Sequence, residues 1–288
     1  MAETPTATTE RKISLRLIWR FASRAVLFLV ILYVGTLGLL TLIETKLIYP
    51  APPVTRGDWS PDWLDHEEVW VPSAAGNRLH GWICQHPSPK HVILLFHGNG
   101  EHLGYLADEL HELCESYSAT VMAFDYRGYG LSPGKPFEAG ILTDAVSVHE
   151  WLAERVQKSP NEIVLWGRSL GGAVAIHCAA TSGAKTLVLD RTFSSMVDVA
   201  NSHYPWLPVK TLLQNRYPSV ERIASYHGPL VQVHGTDDAL VDLEFGKRLF
   251  AAANSEPKHF IEAEGLGHNE PWPREVEDQV HAFVVANR

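Results

Sequence analysis

Glu162-Ile163-Val164-Leu165-Trp166-Gly167-Arg168-Ser169-Leu170-Gly171-Gly172-Ala173-Val174-Ala175-Ile176 runs from a strand into a helix through a glycine-flanked serine. Its apolar first part suits a strand buried on both faces, and its second part suits a helix. A serine on such a turn takes a strained backbone that lifts its hydroxyl above the sheet. Strand and helix then come so close that only small residues fit on either side. Gly167, Gly171, Gly172 and Ala173 meet that demand. The helix N-terminus also points free N–H groups at the hydroxyl, favouring negative charge that develops there. Ser169 is therefore the candidate nucleophile, with a helix N-cap serine as the competing reading.

Outward from this point the same theme repeats. Apolar strand-like runs occur at His91–Phe96, Thr120–Phe124, Glu162–Trp166, Lys185–Leu189, Pro229–Val233 and His259–Glu262. Helical patterns separate them at Leu103–Ser116, Gly140–Gln157, Leu170–Thr181, Leu243–Ala253 and Arg274–Ala286. Strands alternating with helices predict an α/β fold, a mostly parallel sheet with helices on both faces. Glu67–Pro72 and Arg78–Cys84 read as a hairpin around Ala75-Gly76-Asn77, forming an antiparallel edge. Residues 191–225, with Pro205, Pro208, Pro218, Tyr204, Trp206 and Tyr217, break the rhythm and read as a short cap, or else as a plain long connection.

A neutral serine needs a base, and the base needs a group to orient it. On a strand-turn-helix serine the chain order is Ser, then Asp or Glu, then His. His268 lies in Gly265-Leu266-Gly267-His268-Asn269-Glu270, a glycine-bearing loop after the last strand, where a base would hang over the sheet. The preceding strand leads into Thr236-Asp237-Asp238, and Asp238 is favoured as the acid. Asp237 reads as a turn residue, and Asp190, at a third strand end, is the remaining candidate. The oxyanion hole needs two backbone N–H groups. One belongs to Leu170, after the nucleophile; the other is placed at Asn99 in His97-Gly98-Asn99-Gly100, with Gly100 in reserve. His97 reads as structural. Glu101 and His102 suit a loop-to-helix cap better than a metal site. Asp125-Tyr126-Arg127-Gly128 reads as a loop clamped by its own Asp and Arg.

Residues 25–43 contain no charged side chain. As a helix, some 19 residues span roughly 28 Å, about one hydrocarbon core. The run is too long for a signal-peptide core and has no small-x-small cleavage site, so it reads as an uncleaved membrane anchor. Basic residues ahead of it favour a cytoplasmic N-terminus and put the following domain on the periplasmic, lumenal or extracellular side. Gly35 and Gly38 are not four residues apart, so no helix pairing is read from them. The expected organisation is a basic polar tail over 1–24, disordered in residues 1–10; an anchor over 25–43; a proline-rich linker over 44–63; and a folded domain over 64–288.

The chain has 288 residues and a formal charge of −9, which divides into +3 over the first 46 residues and −12 over the rest. An acidic domain repels phosphate backbones, so nucleic acid is not an expected partner. The three cysteines, Cys84, Cys114 and Cys178, form no zinc-type spacing and read as buried free thiols. No dinucleotide or phosphate loop is present, so no cofactor is expected.

Together His97-Gly98-Asn99-Gly100, Asp125-Tyr126-Arg127-Gly128-Tyr129-Gly130-Leu131-Ser132, Gly167-Arg168-Ser169-Leu170-Gly171, His234-Gly235-Thr236-Asp237-Asp238 and Gly267-His268 resemble the α/β-hydrolase superfamily. Within it the chain looks most like membrane-anchored hydrolases of the Bem-type group and serine aminopeptidase-like hydrolases. Leu47-Ile48-Tyr49-Pro50 after the anchor is similar to that group too. The resemblance implies a Ser–Asp–His triad on an eight-stranded sheet but not the substrate, because one fold and one triad serve many esters, thioesters and amides. The expected substrate is a small-molecule or acyl-chain ester or thioester, at which the membrane tether and the aromatic cap hint. Gly100 departs from it, where alanine is expected after Asn99. An amidase or peptidase with the same triad and an inactive anchored scaffold are the alternatives.

Overall fold

The computed structural model describes residues 15–74, 76 and 78–287. The expected tail over 1–10, the basic Arg11 and Lys12, and Ala75 and Asn77 of the expected hairpin turn lie outside the described residues. The chain divides into two compact units between Glu44 and Thr45. The first consists of most of the helix α1 (Leu15–Ile48). Its stretch Ile18–Ile48 is long and apolar enough to cross a membrane.

The second unit is built on eight strands: β1 (Glu67–Pro72), β2 (Arg78–Gln85), β3 (His91–Phe96), β4 (Ala119–Phe124), β5 (Val164–Arg168), β6 (Thr186–Asp190), β7 (Leu230–Gly235) and β8 (Lys258–Ala263). They line up in one sheet in the order β1-β2-β4-β3-β5-β6-β7-β8. Pairs from β4 to β8 are parallel, and the expected hairpin supplies the antiparallel edge. The helices are α2 (Ala107–Ser116), α3 (Glu138–Arg155), α4 (Leu170–Ser182), α5 (Met196–His203), α6 (Val209–Leu212), α7 (Ser219–Ile223), α8 (Leu243–Ala252) and α9 (Arg274–Ala286).

Strand periodicity sorts the core into two layers. Val92, Leu94 and Phe96 of β3 face the layer that holds α3, α4 and α8, while Ile93 and Leu95 face α2 and α9. Both layers are apolar, which is why β3 and β4 are buried along their whole length. The three cysteines are buried free thiols.

Several boundaries differ from the sequence reading for local reasons. The segment expected to begin β5 at Glu162 instead forms a short turn over Pro160–Glu162, closed by Ser159 and the Glu162 carboxylate. The helix expected over Leu103–Ser116 splits into a turn at Leu103–Tyr105, whose first N–H donates to the Asp125 carboxylate at 2.9 Å, and α2. Within residues 44–63, Ile48 and Tyr49 are buried and Trp59 stacks on His102 at 4.7 Å. The loop after β4 is not clamped by its own pair. Asp125 accepts from Leu103 and Leu131, whereas Arg127 donates twice to Asp144 of α3, at 2.6 Å each.

The sheet reverses its winding between β3 and β5, since β4 lies on one side of β3 and β5 on the other. Where an open α/β sheet reverses in this way, loops leaving the carboxyl ends of the two strands diverge and a crevice forms between them. Backbone contact closes its floor. A Cβ on Gly171 would lie 2.0 Å from the Phe96 carbonyl oxygen and 2.6 Å from that of His97. A Cβ on Gly167 would lie 2.4 Å from the Gly171 carbonyl oxygen. Strand β5, the start of α4 and the loop after β3 are thus packed main chain on main chain.

Two outcomes follow for chemical denaturation of the full chain in detergent. Asp144→Ala strands a buried Arg127 guanidinium and should lower stability by about 3–5 kcal/mol, whereas Asp144→Leu with Arg127→Met should recover much of that loss. Gly171→Ala should cost more than about 3 kcal/mol, because backbone, not a movable side chain, occupies the space its methyl needs.

Candidate active site

Ser169 stands between β5 and α4 with φ 52° and ψ −117°. A left-handed backbone at a non-glycine residue costs on the order of 1–3 kcal/mol and must be held by its surroundings. Here the Ser169 N–H donates to the Asp190 carbonyl at 2.9 Å, and the Thr192 hydroxyl donates to the Ser169 carbonyl at 2.8 Å. The turn is pinned to the end of β6 from both sides.

The loops after β7 and β8 bring the other two candidates to this hydroxyl. His268 Nε2 lies 3.1 Å from Ser169 Oγ, and Nδ1 lies 2.7 Å from Asp238 Oδ2. With the proton on Nδ1 donated to the carboxylate, Nε2 is left to accept from the serine hydroxyl. The other Asp238 oxygen accepts from the N–H groups of Leu240 and Val241, at 2.9 and 2.8 Å. Burial pushes the Asp238 carboxyl up, but the bonds from His268 and Val241 outweigh it and hold its pKa below the ordinary value. Asp237 stays on the surface of this turn.

Asp190, the third acid considered, is occupied elsewhere. Both its oxygens accept from Arg191, at 2.8 and 2.7 Å, and one also accepts from the Trp272 indole at 3.0 Å. Arg191 had no place in the sequence reading. Buried at the mouth of the 191–225 segment, it donates to the Gly267 and Glu270 carbonyls at 2.9 and 2.6 Å and so holds the His268 loop. His234 was also missed as a support. Its Nε2 bonds the Val241 carbonyl at 2.9 Å, and burial pushes its pKa down, so a neutral ring braces the Asp238 turn. The only sequence signal for it was its place in His234-Gly235-Thr236-Asp237-Asp238.

Leu170 is the first residue of α4, so its N–H belongs to the helical turn that lacks intrahelical acceptors. The loop His97–Gly100 lies against it across Gly171. The Gly98 N–H donates to Glu101 at 2.7 Å, and Glu101 pairs with Arg168 of the turn itself. Burial raises the Glu101 pKa, but Arg168 more than offsets that and keeps the carboxyl ionised. The Asn99 side chain is engaged at both ends, donating to the Ile48 carbonyl and accepting from the Tyr129 hydroxyl at 2.6 Å.

His97 is buried, with Nδ1 bonded to the Gly98 carbonyl at 2.8 Å, and burial keeps it neutral. His102 makes no capping bond; it stacks on Trp59 and Tyr105. Among the described residues no group of three or more His, Cys, Asp or Glu could hold a metal ion.

The family model described as serine aminopeptidase, S33, matches residues 87–221. The uncharacterized protein Rv2307c of Mycobacterium tuberculosis is 40% identical over 206 residues, covering 71% of this chain and 73% of its own. Alpha/beta hydrolase domain-containing protein 17C of Mus musculus is 30% identical over 221 residues, covering 75% and 67%. Among solved structures, the Pyrococcus furiosus esterase Pf2001 superposes with a TM-score of 0.67 at 19% identity, covering 82% of this chain and 96% of that one. At that identity the likeness speaks for the fold, and the relatives speak for descent. The chain belongs to the α/β-hydrolase family, and it is a hydrolase of that fold.

Proposed function

We propose that this protein is a membrane-anchored serine hydrolase that cleaves carboxylic esters or thioesters, with acyl-chain or lipid-like compounds as its substrates. The observation that carries the reading is the continuous chain Ser169 Oγ to His268 Nε2 at 3.1 Å and His268 Nδ1 to Asp238 at 2.7 Å. In this reading the Ser169 hydroxyl attacks the carbonyl carbon while His268 Nε2 takes its proton. Asp238 holds the ring in the right tautomer and stabilises the imidazolium that forms. The N–H groups of Leu170 and Asn99 receive the oxyanion. His268 then protonates the leaving alcohol or thiol, which departs and leaves an acyl-serine. A water deprotonated by His268 attacks that ester and frees the acid. No step of the cycle calls for a metal or an organic cofactor.

A peptidase or amidase with the same triad is the second reading. It is favoured by the description of the matching family model as a serine aminopeptidase. Leaving-group chemistry separates the two, because an amine must be protonated before it leaves, whereas a thiolate leaves readily.

We assign residues 25–43 as the anchor, 64–288 as the hydrolase domain and 191–225 as a short cap over the crevice. The basic side chains Arg16, Arg20 and Arg24 precede the apolar run. They support a cytoplasmic N-terminus and a catalytic domain across the membrane.

Steady-state hydrolysis by the full chain tests the chemistry. Ser169→Ala and His268→Ala should each lower kcat by on the order of 10^4 or more, and Asp238→Asn by about 10^3 to 10^4. Acyl esters and thioesters should be turned over far faster than aminoacyl amides; the reverse order would move the assignment to the peptidase reading. A reporter fused after Arg288 should be active only in the non-cytoplasmic compartment, and activity in the cytoplasm would overturn the orientation.

A further inference from the structure

The segment that follows the apolar run does more than join it to the domain. Ile48 is the last residue of α1 and belongs to the second unit, as does Tyr49. A carbonyl at a helix C-terminus has no partner within the helix and is free to accept from outside. The Ile48 carbonyl accepts from Asn99 Nδ2. At its other end the Asn99 amide is held by the Tyr129 hydroxyl at 2.6 Å. Losing either bond would let the amide, and the Asn99 backbone with it, rotate.

Tyr49 in turn fixes Ile48. Its ring is 4% exposed and lies in the core layer of α3 and α4. Its hydroxyl donates to Asn215 Oδ1 at 2.9 Å and lies 2.8 Å from the Tyr217 hydroxyl. Asn215 Oδ1 also accepts from the Glu138 N–H at 2.7 Å, which ties the cluster to the first turn of α3. A run of hydrogen bonds and one peptide unit therefore leads from α3 and the 191–225 segment, through Tyr49 and Ile48, to the side chain of Asn99. Tyr129 reaches the same amide from the loop after β4.

We propose that Ile48 and Tyr49, together with Tyr129, position the oxyanion loop, so that the residues leaving the anchor are a working part of the active site. The proposal rests on the reading of the Asn99 N–H as an oxyanion donor. Tyr49 and Tyr129 touch neither substrate nor reacting atoms; they act through Asn99. A loose Asn99 would still allow ground-state binding but would meet the transition-state charge less well. The signature is a fall in kcat with KM unchanged.

The test uses the full chain in detergent micelles with Tyr49→Phe, Tyr129→Phe and, as a matched control, Tyr226→Phe. Tyr226 is a buried tyrosine whose hydroxyl bonds the Pro229 carbonyl at 3.0 Å, with no link to Asn99. Tyr49→Phe and Tyr129→Phe should each lower kcat for an acyl ester about 10-fold, a part of the ~10^2–10^3 lost when a donor is removed outright. KM should hold. Binding of an alkyl trifluoromethyl ketone, which forms a tetrahedral adduct on the serine, should weaken by the same factor. Tyr226→Phe should lower the melting temperature but leave kcat alone. Unchanged kcat in both test variants overturns the proposal, as does an equal fall in the control. If Ser169→Ala still hydrolyses the ester, the reading of the site fails first and takes this inference with it. If Ser169→Ala is inactive while the tyrosine variants are normal, only this inference fails.

Discussion

Everything at the candidate site depends on the direct backbone contact between the start of α4 and the end of β3. The Phe96 and His97 carbonyls occupy the space a Gly171 side chain would need. This contact puts the N-terminus of a helix, the loop after β3 and the strained Ser169 within one small volume. It also explains why glycine recurs around the serine: no residue with a Cβ lets two main chains touch in this way. The topological switch between β3 and β5 opens the crevice, and the glycine contact sets its floor.

On that floor a set of polar ties holds the loops. Arg191 binds Asp190 and two carbonyls of the His268 loop. His234 and two backbone N–H groups shape the turn of Asp238. Glu101 joins the Gly98 N–H to Arg168 beside the serine. Arg191, Glu101 and Asp238 are buried or half-buried and each is paired with a partner of opposite character, so the strain at Ser169 is met by fixed surroundings. The proposed chemistry asks for this: donors and base already in place need no reorganisation when charge develops.

Local patterns made much of this legible from the sequence. The alternation of strands and helices sufficed for the fold, because buried parallel strands are apolar along their length and β3 to β8 follow one another in the chain. Ser169 was readable because its turn, its glycines and its helix are contiguous. Asp238 and His268 were readable from chain order and from short loops after strands. The supports were not. Arg191 meets residues 76 and 79 positions away, Glu101 meets Arg168 67 away, and Asn99 meets Ile48 51 away. No short-range spacing records such pairs. Arg127 shows the same limit: two residues from Asp125, it read as that residue's partner, yet the fold turns it to Asp144 on α3, where its planar group forms two parallel bonds. Tyr49 sits in a proline-rich stretch that reads as a spacer, and nothing in that pattern records its burial.

In the proposed mechanism one serine, held by the glycine contact and paired with His268, does the chemistry. This is tested most directly by treating the full chain with a fluorophosphonate and mapping the adduct by peptide mass spectrometry. A single stoichiometric adduct should form on Ser169 and be abolished when His268 is replaced by alanine. An adduct on another residue, or a folded protein that takes up none, would contradict it.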